Sequence, residues 1–106
     1  LEAIKVIKQL DPNIPQVACF DTAFHTTQDP LSKAVPLPNS LTDEGIRRYG
    51  FHGLSYAYIA SVLLDVMGER GRGKIIVAHL GNGASACALS NLKSVATSMG
   101  FTALEG

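Results

Sequence analysis

The sequence predicts an α/β fold. Three observations carry that prediction. Apolar residues recur at helical spacing twice, first as Leu1, Ile4, Ile7 and Leu10, then as Ile59, Ala60, Leu63, Leu64 and Met67. Short apolar runs at residues 16–20 and 75–78 have the length and the bounding residues of buried strands. Finally, Gly81-Asn82-Gly83 lies between residues 74–80 and a second strand-like run at residues 84–89, which is a hairpin signal.

Taken in order, residues 1–10 form a helix without an N-cap, stopped by Asp11-Pro12. Residues 16–20 follow as a buried strand that delivers Asp21 and Thr22 at its C-terminal end, where α/β sheets usually bind ligands. Residues 24–39 are loop-like, with Pro30, Pro36 and Pro38 and little periodicity. Thr42-Asp43-Glu44 starts a short helical turn that Gly45 weakens. A compact cluster of cations, aromatics, imidazole and glycine comes next, Arg47-Arg48-Tyr49-Gly50-Phe51-His52-Gly53. Ser55 is the N-cap candidate for a helix running to about Met67. The GERGRG stretch at residues 68–73 ends that helix and is the best boundary between structural units. Beyond the Gly81-Asn82-Gly83 hairpin, Asn91-Leu92 makes another tight turn and residues 94–99 supply a third strand, giving a small antiparallel meander.

Composition narrows the function. Nine basic and nine acidic residues cancel, so no charge imbalance draws the chain to nucleic acid or to an anionic membrane. No apolar run reaches the roughly 18 residues of a transmembrane helix, and no signal peptide is visible. Cys19 and Cys87 each sit inside a strand-like run far apart in sequence, the pattern of two buried, reduced thiols in a cytoplasmic protein. The chain opens without Met, directly into a helical pattern, and closes with no finishing element. Both ends look cut, as in a piece of a longer protein.

Four sets of residues could carry chemistry, each with a plain structural alternative. Asp21 either caps the next turn, or binds Mg²⁺ directly or through water, or aligns a reactant. His52 is either structural or a hydrogen-bond donor that stabilises a transferring phosphoryl group. His79 either orders its turn or helps hold a phosphate. The turn itself is either an idle tip or a stretch of bare backbone whose N–H groups cradle an anion. A transition-metal site built from Asp21, His25, His52 and His79 is disfavoured, because only Asp21 and His25 are closely spaced and no CxxC pair exists.

Together, four motifs are more specific than any alone. They are Phe20-Asp21-Thr22-Ala23-Phe24-His25, then Arg47-Arg48-Tyr49-Gly50-Phe51-His52-Gly53, then Ala78-His79-Leu80-Gly81-Asn82-Gly83-Ala84-Ser85, then Thr97-Ser98-Met99-Gly100-Phe101-Thr102 with Leu104-Glu105-Gly106. In order and separation they resemble the acetate kinase family of short-chain carboxylate kinases, within the actin, Hsp70 and sugar-kinase superfamily. That resemblance implies an internal fragment of a two-domain actin-like (ribonuclease H-like) ATPase fold with ATP in the interdomain cleft. Residues 1–67 would end the N-terminal domain and its connection, and residues 74–106 would open the C-terminal nucleotide-binding domain, with the boundary at 68–73.

The reaction implied is reversible phosphoryl transfer from ATP to acetate, giving ADP and acetyl phosphate, with Mg²⁺. Carboxylic acids of this kind ionise near pH 4, so acetate needs no general base before it attacks phosphorus. The difficulty is bringing one anion against another and stabilising charge on the moving group. By resemblance, Asp21 matches the catalytic aspartate, in a metal-linked or orienting role. His52 matches the histidine that stabilises the transition state. His79, Leu80, Gly81, Asn82 and Gly83 match the nucleotide phosphate-binding loop, and Phe51 lines the acyl pocket. Three departures stand out. Ala96 replaces a usual aspartate, Ala103 a usual proline of the acyl pocket, and Tyr56 a common histidine after Gly-Leu-Ser. The smaller Ala103 wall leaves room for propionate or butyrate kinase activity, and a non-catalytic nucleotide-binding remnant is the alternative of a different class. The family's remaining phosphate loop and arginines find no match within residues 1–106, so this stretch alone should be inactive. The resemblance further implies a cytoplasmic homodimer acting on small molecules.

Overall fold

A computed structural model describes residues 1–105; Gly106, which ends the last quoted motif, lies outside the described residues. Four α-helices precede a three-stranded sheet: α1 Glu2–Leu10, α2 Pro30–Lys33, α3 Asn39–Asp43 and α4 Gly53–Met67, then β1 Lys74–Leu80, β2 Ala84–Ser90 and β3 Lys93–Thr97. Single 3₁₀ turns occupy Ala23–Thr27, Gly68–Arg72 and Ala103–Glu105.

The meander forms as its sequence predicts. Strand order is β1-β2-β3, antiparallel throughout, with Lys74 opposite Ser90, His79 opposite Ser85 and Leu80 opposite Ala84. The β2–β3 ladder shifts register between Ala88 and Leu89. Asn91 and Leu92 take the left-handed conformation, with φ of 48° and 64°, which a two-residue hairpin of this kind requires. The β1–β2 turn is built differently. Three residues connect the strands, and neither Gly81 nor Gly83 is left-handed. Their glycine character serves space rather than turn geometry.

Helix α4 lies on this sheet. Tyr56, Ala60 and Leu63, spaced along one helical stripe, are buried with Cys87 and Leu89 of β2, and Phe24, Ile59, Ile75, Val77 and Leu92 close the margins. Burial along β2 alternates strictly, as a half-covered antiparallel strand should.

Several expectations change. Residues 16–20 do not form a strand: they are irregular and exposed, and no described strand pairs with them. An apolar run becomes a strand only where a neighbour supplies the other half of the ladder. Cys19 is therefore exposed, whereas Cys87 is fully buried, as expected of it, and both are free thiols. The β1 run is an edge strand and only half-buried, with Ile76 and Leu80 turned outward. Proline does not keep residues 24–39 irregular. Pro30 instead starts α2, whose first turn the Asp29 carboxylate caps through Leu31 N–H at 2.8 Å. The turn expected at Thr42 begins at Asn39. Helix α4 begins two residues before Ser55, so Ser55 is not its N-cap. The third strand ends at Thr97; residues beyond it turn to pair with the Arg47–Gly53 motif, Met99 and Gly100 carbonyls accepting from Phe51, Gly50 and Tyr49 N–H at 3.2, 2.9 and 2.7 Å.

One polar residue sits at the heart of this packing. His25 is fully buried; its Nε2 lies 2.8 Å from the Phe51 carbonyl and its Nδ1 2.8 Å from Ser94 Oγ. The carbonyl can only accept, so Nε2 carries the proton and Ser94 donates to Nδ1. Burial pushes this imidazole below its ordinary value of 6.5, outweighing the Phe51 hydrogen bond that opposes the shift. The unfolded chain therefore takes up a proton near pH 6.5 while folded His25 stays neutral. Stability falls as the pH drops below that value, by at most about 1.4 kcal/mol per pH unit from this group. Urea unfolding at pH 7.5 and 5.5 measures the loss. A His25→Gln variant is expected to lose less between the two pH values than the parent, and an equal loss in both proteins would contradict the assignment.

Candidate active site

The start of α4 is the organising point of the site. His52 occupies the N-cap position in the left-handed conformation, φ 57° and ψ 23°, which is rare for a residue with a Cβ and costs roughly 1–2 kcal/mol. Asp21 holds it there. One carboxylate oxygen accepts the His52 N–H at 2.6 Å and the other faces the Leu54 N–H at 3.4 Å. The Asp21 carbonyl accepts the Gly53 N–H at 2.8 Å. A negative side chain thus satisfies the orphan donors and the positive end of the helix from a distant segment. Gly53 is needed for this approach, since a Cβ there would collide with the Asp21 carbonyl. The cap expected from Ser55 comes from Asp21 instead.

Two imidazoles stack in front of this junction. The His52 and His79 rings lie 4.1 Å apart at 23°. His52 Nδ1 is 2.8 Å from Ser85 Oγ, and the same hydroxyl makes a short hydrogen bond with the Tyr56 phenol. His79 Nδ1 is 3.0 Å from Ser55 Oγ. Burial raises the Tyr56 phenol above its ordinary range, so that it stays protonated, against the opposing effect of its Ser85 bond. The outer nitrogens of both rings face the glycines of the β1–β2 turn. A Cβ on Gly83 would stand 3.3 Å from His52 Nε2, and one on Gly81 would stand 2.9 Å from His79 Nε2. Small residues at these two positions keep the space beside the imidazole edges open.

The fold therefore brings together Asp21, His52, His79, Gly81 and Gly83, which the sequence spreads over more than half the chain. Leu80 and Asn82 are exposed beside them. Phe51 is half-buried, its carbonyl fixed by His25. Ala103 is not joined to this group by any described contact. It is exposed in a turn that the Glu105 carboxylate ties down by accepting the Gly100 and Phe101 N–H groups at 2.9 and 2.7 Å. Those two hydrogen bonds, Phe101 first, hold the Glu105 carboxyl below the usual carboxylate range. Among the described residues, no group of three or more His, Cys, Asp or Glu side chains could hold a metal ion. Asp21 brings a single carboxylate to the His52 junction, and a single carboxylate suits only a cation that arrives with ligands of its own, as Mg²⁺ does on a nucleotide.

In the sequence Ser55 stands out only as a helix cap and Tyr56 only as a departure from a family pattern, and Ser85 has no role of its own. Signals for them existed. Ser55 and Tyr56 follow His52 at the spacing that shares a helix face, and a three-residue hairpin loop places Ser85 directly across from His79.

Comparison with known proteins identifies the family. The profile of the acetokinase family matches residues 1–106. Acetate kinase of Rhodopseudomonas palustris is 54% identical over 107 residues, covering 100% of this chain and 27% of that relative. The crystal structure of Porphyromonas gingivalis acetate kinase superimposes with a TM-score of 0.89 at 39% identity, covering 99% of this chain and 27% of that one. A propionate kinase from Francisella tularensis superimposes with a TM-score of 0.90 at 42% identity, with the same coverage. The chain thus spans about a quarter of the length of the relatives it matches, and it is an α/β segment of their fold. On its sequence and on its structure alike, the chain belongs to the acetokinase family.

Proposed function

We propose that the protein carrying this chain is an ATP-dependent carboxylate kinase that makes acetyl phosphate from acetate, reversibly. The observation that carries this reading is the meeting of two imidazole edges with the glycine turn, His52 Nε2 at 3.3 Å from the Cβ position of Gly83. A donor nitrogen beside bare backbone is what a transferring phosphoryl group needs, since its charge spreads over oxygens that must be stabilised while two anions approach. In this reading His79, Leu80, Gly81, Asn82 and Gly83 cradle the nucleotide phosphates, and His52 donates to the moving group.

Asp21 has an orienting role. Its oxygens already accept backbone N–H groups, and acetate needs no base. A water-mediated contact from Asp21 to Mg²⁺ carried by the nucleotide is compatible with this, the cation supplying charge neutralisation on the phosphates. Phe51 and Ala103 are the proposed walls of the acyl pocket. We further assign residues 1–67 to the end of one domain and its connection, and residues 74–106 to the opening of the nucleotide-binding domain. The whole protein is proposed to be a cytoplasmic homodimer, with residues 1–106 insufficient for activity. No described helix is long and apolar enough to cross a membrane.

Propionate is the second reading of the acceptor. It is favoured by the similarity to a propionate kinase and by the small Ala103 side chain. One methylene changes discrimination by only about 1–3 kcal/mol, so overlap between the two acids follows.

Acyl phosphate formation, trapped as the hydroxamate, tests the reading on the purified whole protein that carries this chain, with ATP, Mg²⁺ and acetate, propionate or butyrate. Acetate is expected to give the highest kcat/KM. A His52→Ala variant should lose about 100- to 1000-fold in kcat, the effect of removing one preorganised donor. No acyl phosphate with any of the acids would overturn the assignment, and butyrate turnover equal to acetate would overturn the acceptor.

A further inference from the structure

Ser85 is almost completely enclosed at 5% exposure, Tyr56 is completely enclosed at 0%, and both sit behind His52. Neither matches a role that the reaction assigns. Their protons can be counted. Among the described residues the Tyr56 oxygen accepts from the His79 backbone N–H, its proton has one side-chain acceptor, Ser85 Oγ, and Ser85 Oγ has two side-chain partners, Tyr56 and His52 Nδ1. No buried side-chain nitrogen or oxygen among the described residues lacks a partner. Suppose His52 carried its proton on Nδ1 and donated to Ser85. Ser85 would then either accept from both neighbours and leave its own proton without an acceptor, or donate to Tyr56 and leave the Tyr56 proton without one; each is costly in an enclosed site. The opposite order leaves nothing unmatched: Tyr56 donates to Ser85, Ser85 donates to His52 Nδ1, and His52 carries its proton on Nε2.

We infer that the Tyr56–Ser85 hydroxyl pair is a positioning element, which holds His52 with Nδ1 as acceptor and turns an Nε2–H donor toward the Gly81-Asn82-Gly83 turn. Nε2 is the nitrogen that faces Gly83. The raised Tyr56 phenol keeps the proton that starts the relay. Ser85 is the decisive member, because it alone touches the ring; Tyr56 occupies one lone pair of Ser85 and so directs the serine proton to His52. The consequence for catalysis rests on the carboxylate-kinase reading, but the tautomer itself does not.

The two are separated by measuring the ring before the rate. Long-range ¹H–¹⁵N spectra of the purified protein with ¹⁵N-labelled histidine report which nitrogen of each imidazole is protonated, without substrate. Wild-type His52 is expected to show a bare Nδ1 and a protonated Nε2. In Ser85→Ala both His52 nitrogens should move toward intermediate values as the two tautomers mix. In the same variant kcat should fall about 10- to 100-fold, the usual effect of removing the partner that orients a histidine. Its KM for ATP should stay within about twofold, because a group acting only in the transition state is lost. Ser85→Thr, which keeps the hydroxyl, should restore the wild-type spectrum and most of the rate. Should Ser85→Ala fail to fold, the wild-type spectrum alone decides. A His52 protonated on Nδ1, or a Ser85→Ala protein with the wild-type tautomer, overturns the inference. The expected tautomer in a protein that forms no acyl phosphate supports the relay and removes only the kinase reading.

Discussion

The Asp21 carboxylate at the start of α4 is the contact on which the rest of the site depends. It joins a segment without regular structure to the first turn of the helix, and it does so through backbone N–H groups rather than another side chain. Hydrogen bonds to a charged group contribute about 1.5–3 kcal/mol each, against roughly 1–2 kcal/mol for the left-handed His52. The attraction is at least as large as the strain, so the strained geometry persists. In that geometry the His52 ring stacks on His79. The Asp21 carbonyl, bonded to Gly53, closes the same junction a second time.

A second layer holds the first in place. His25, buried and neutral, fixes the Phe51 carbonyl immediately before His52, and Ser94 of β3 fixes His25. Gln28 completes that cluster by donating to Ser94 at 2.9 Å. The sheet therefore supports the imidazole pair from behind by two routes, Ser94 through His25 and Ser85 directly. Arg48 adds a third tie, its guanidinium donating to the Thr97 and Ser98 carbonyls at 3.3 and 3.2 Å. Residues with no chemistry of their own thus set the orientation of those that have it.

What could be read from the sequence was local. Helices α1 and α4 and the β-meander follow from spacing and turn residues, because those patterns act over a few positions. Residues 16–20 misled for the same reason: their run is strand-like, but pairing depends on a neighbour that the run does not encode. The Ser55 cap failed because the true cap lies 31 positions from His52. Asp21, His52 and His79 were legible as a set only through resemblance to a family, since nothing in their spacing brings them together. Ser85 and Tyr56 stayed hidden because a hydroxyl gains a role only from what it touches. Exposed Ala103 remains apart from the imidazoles among the described contacts.

Asp21 makes His52 adopt the conformation in which its ring meets His79 and the glycine turn. A crystal structure of the Asp21→Ala protein tests it most directly. Loss of the carboxylate should release His52 from positive φ and separate the two rings well beyond their present 4.1 Å. His52 still near its φ of 57°, with the stack intact, would contradict the claim.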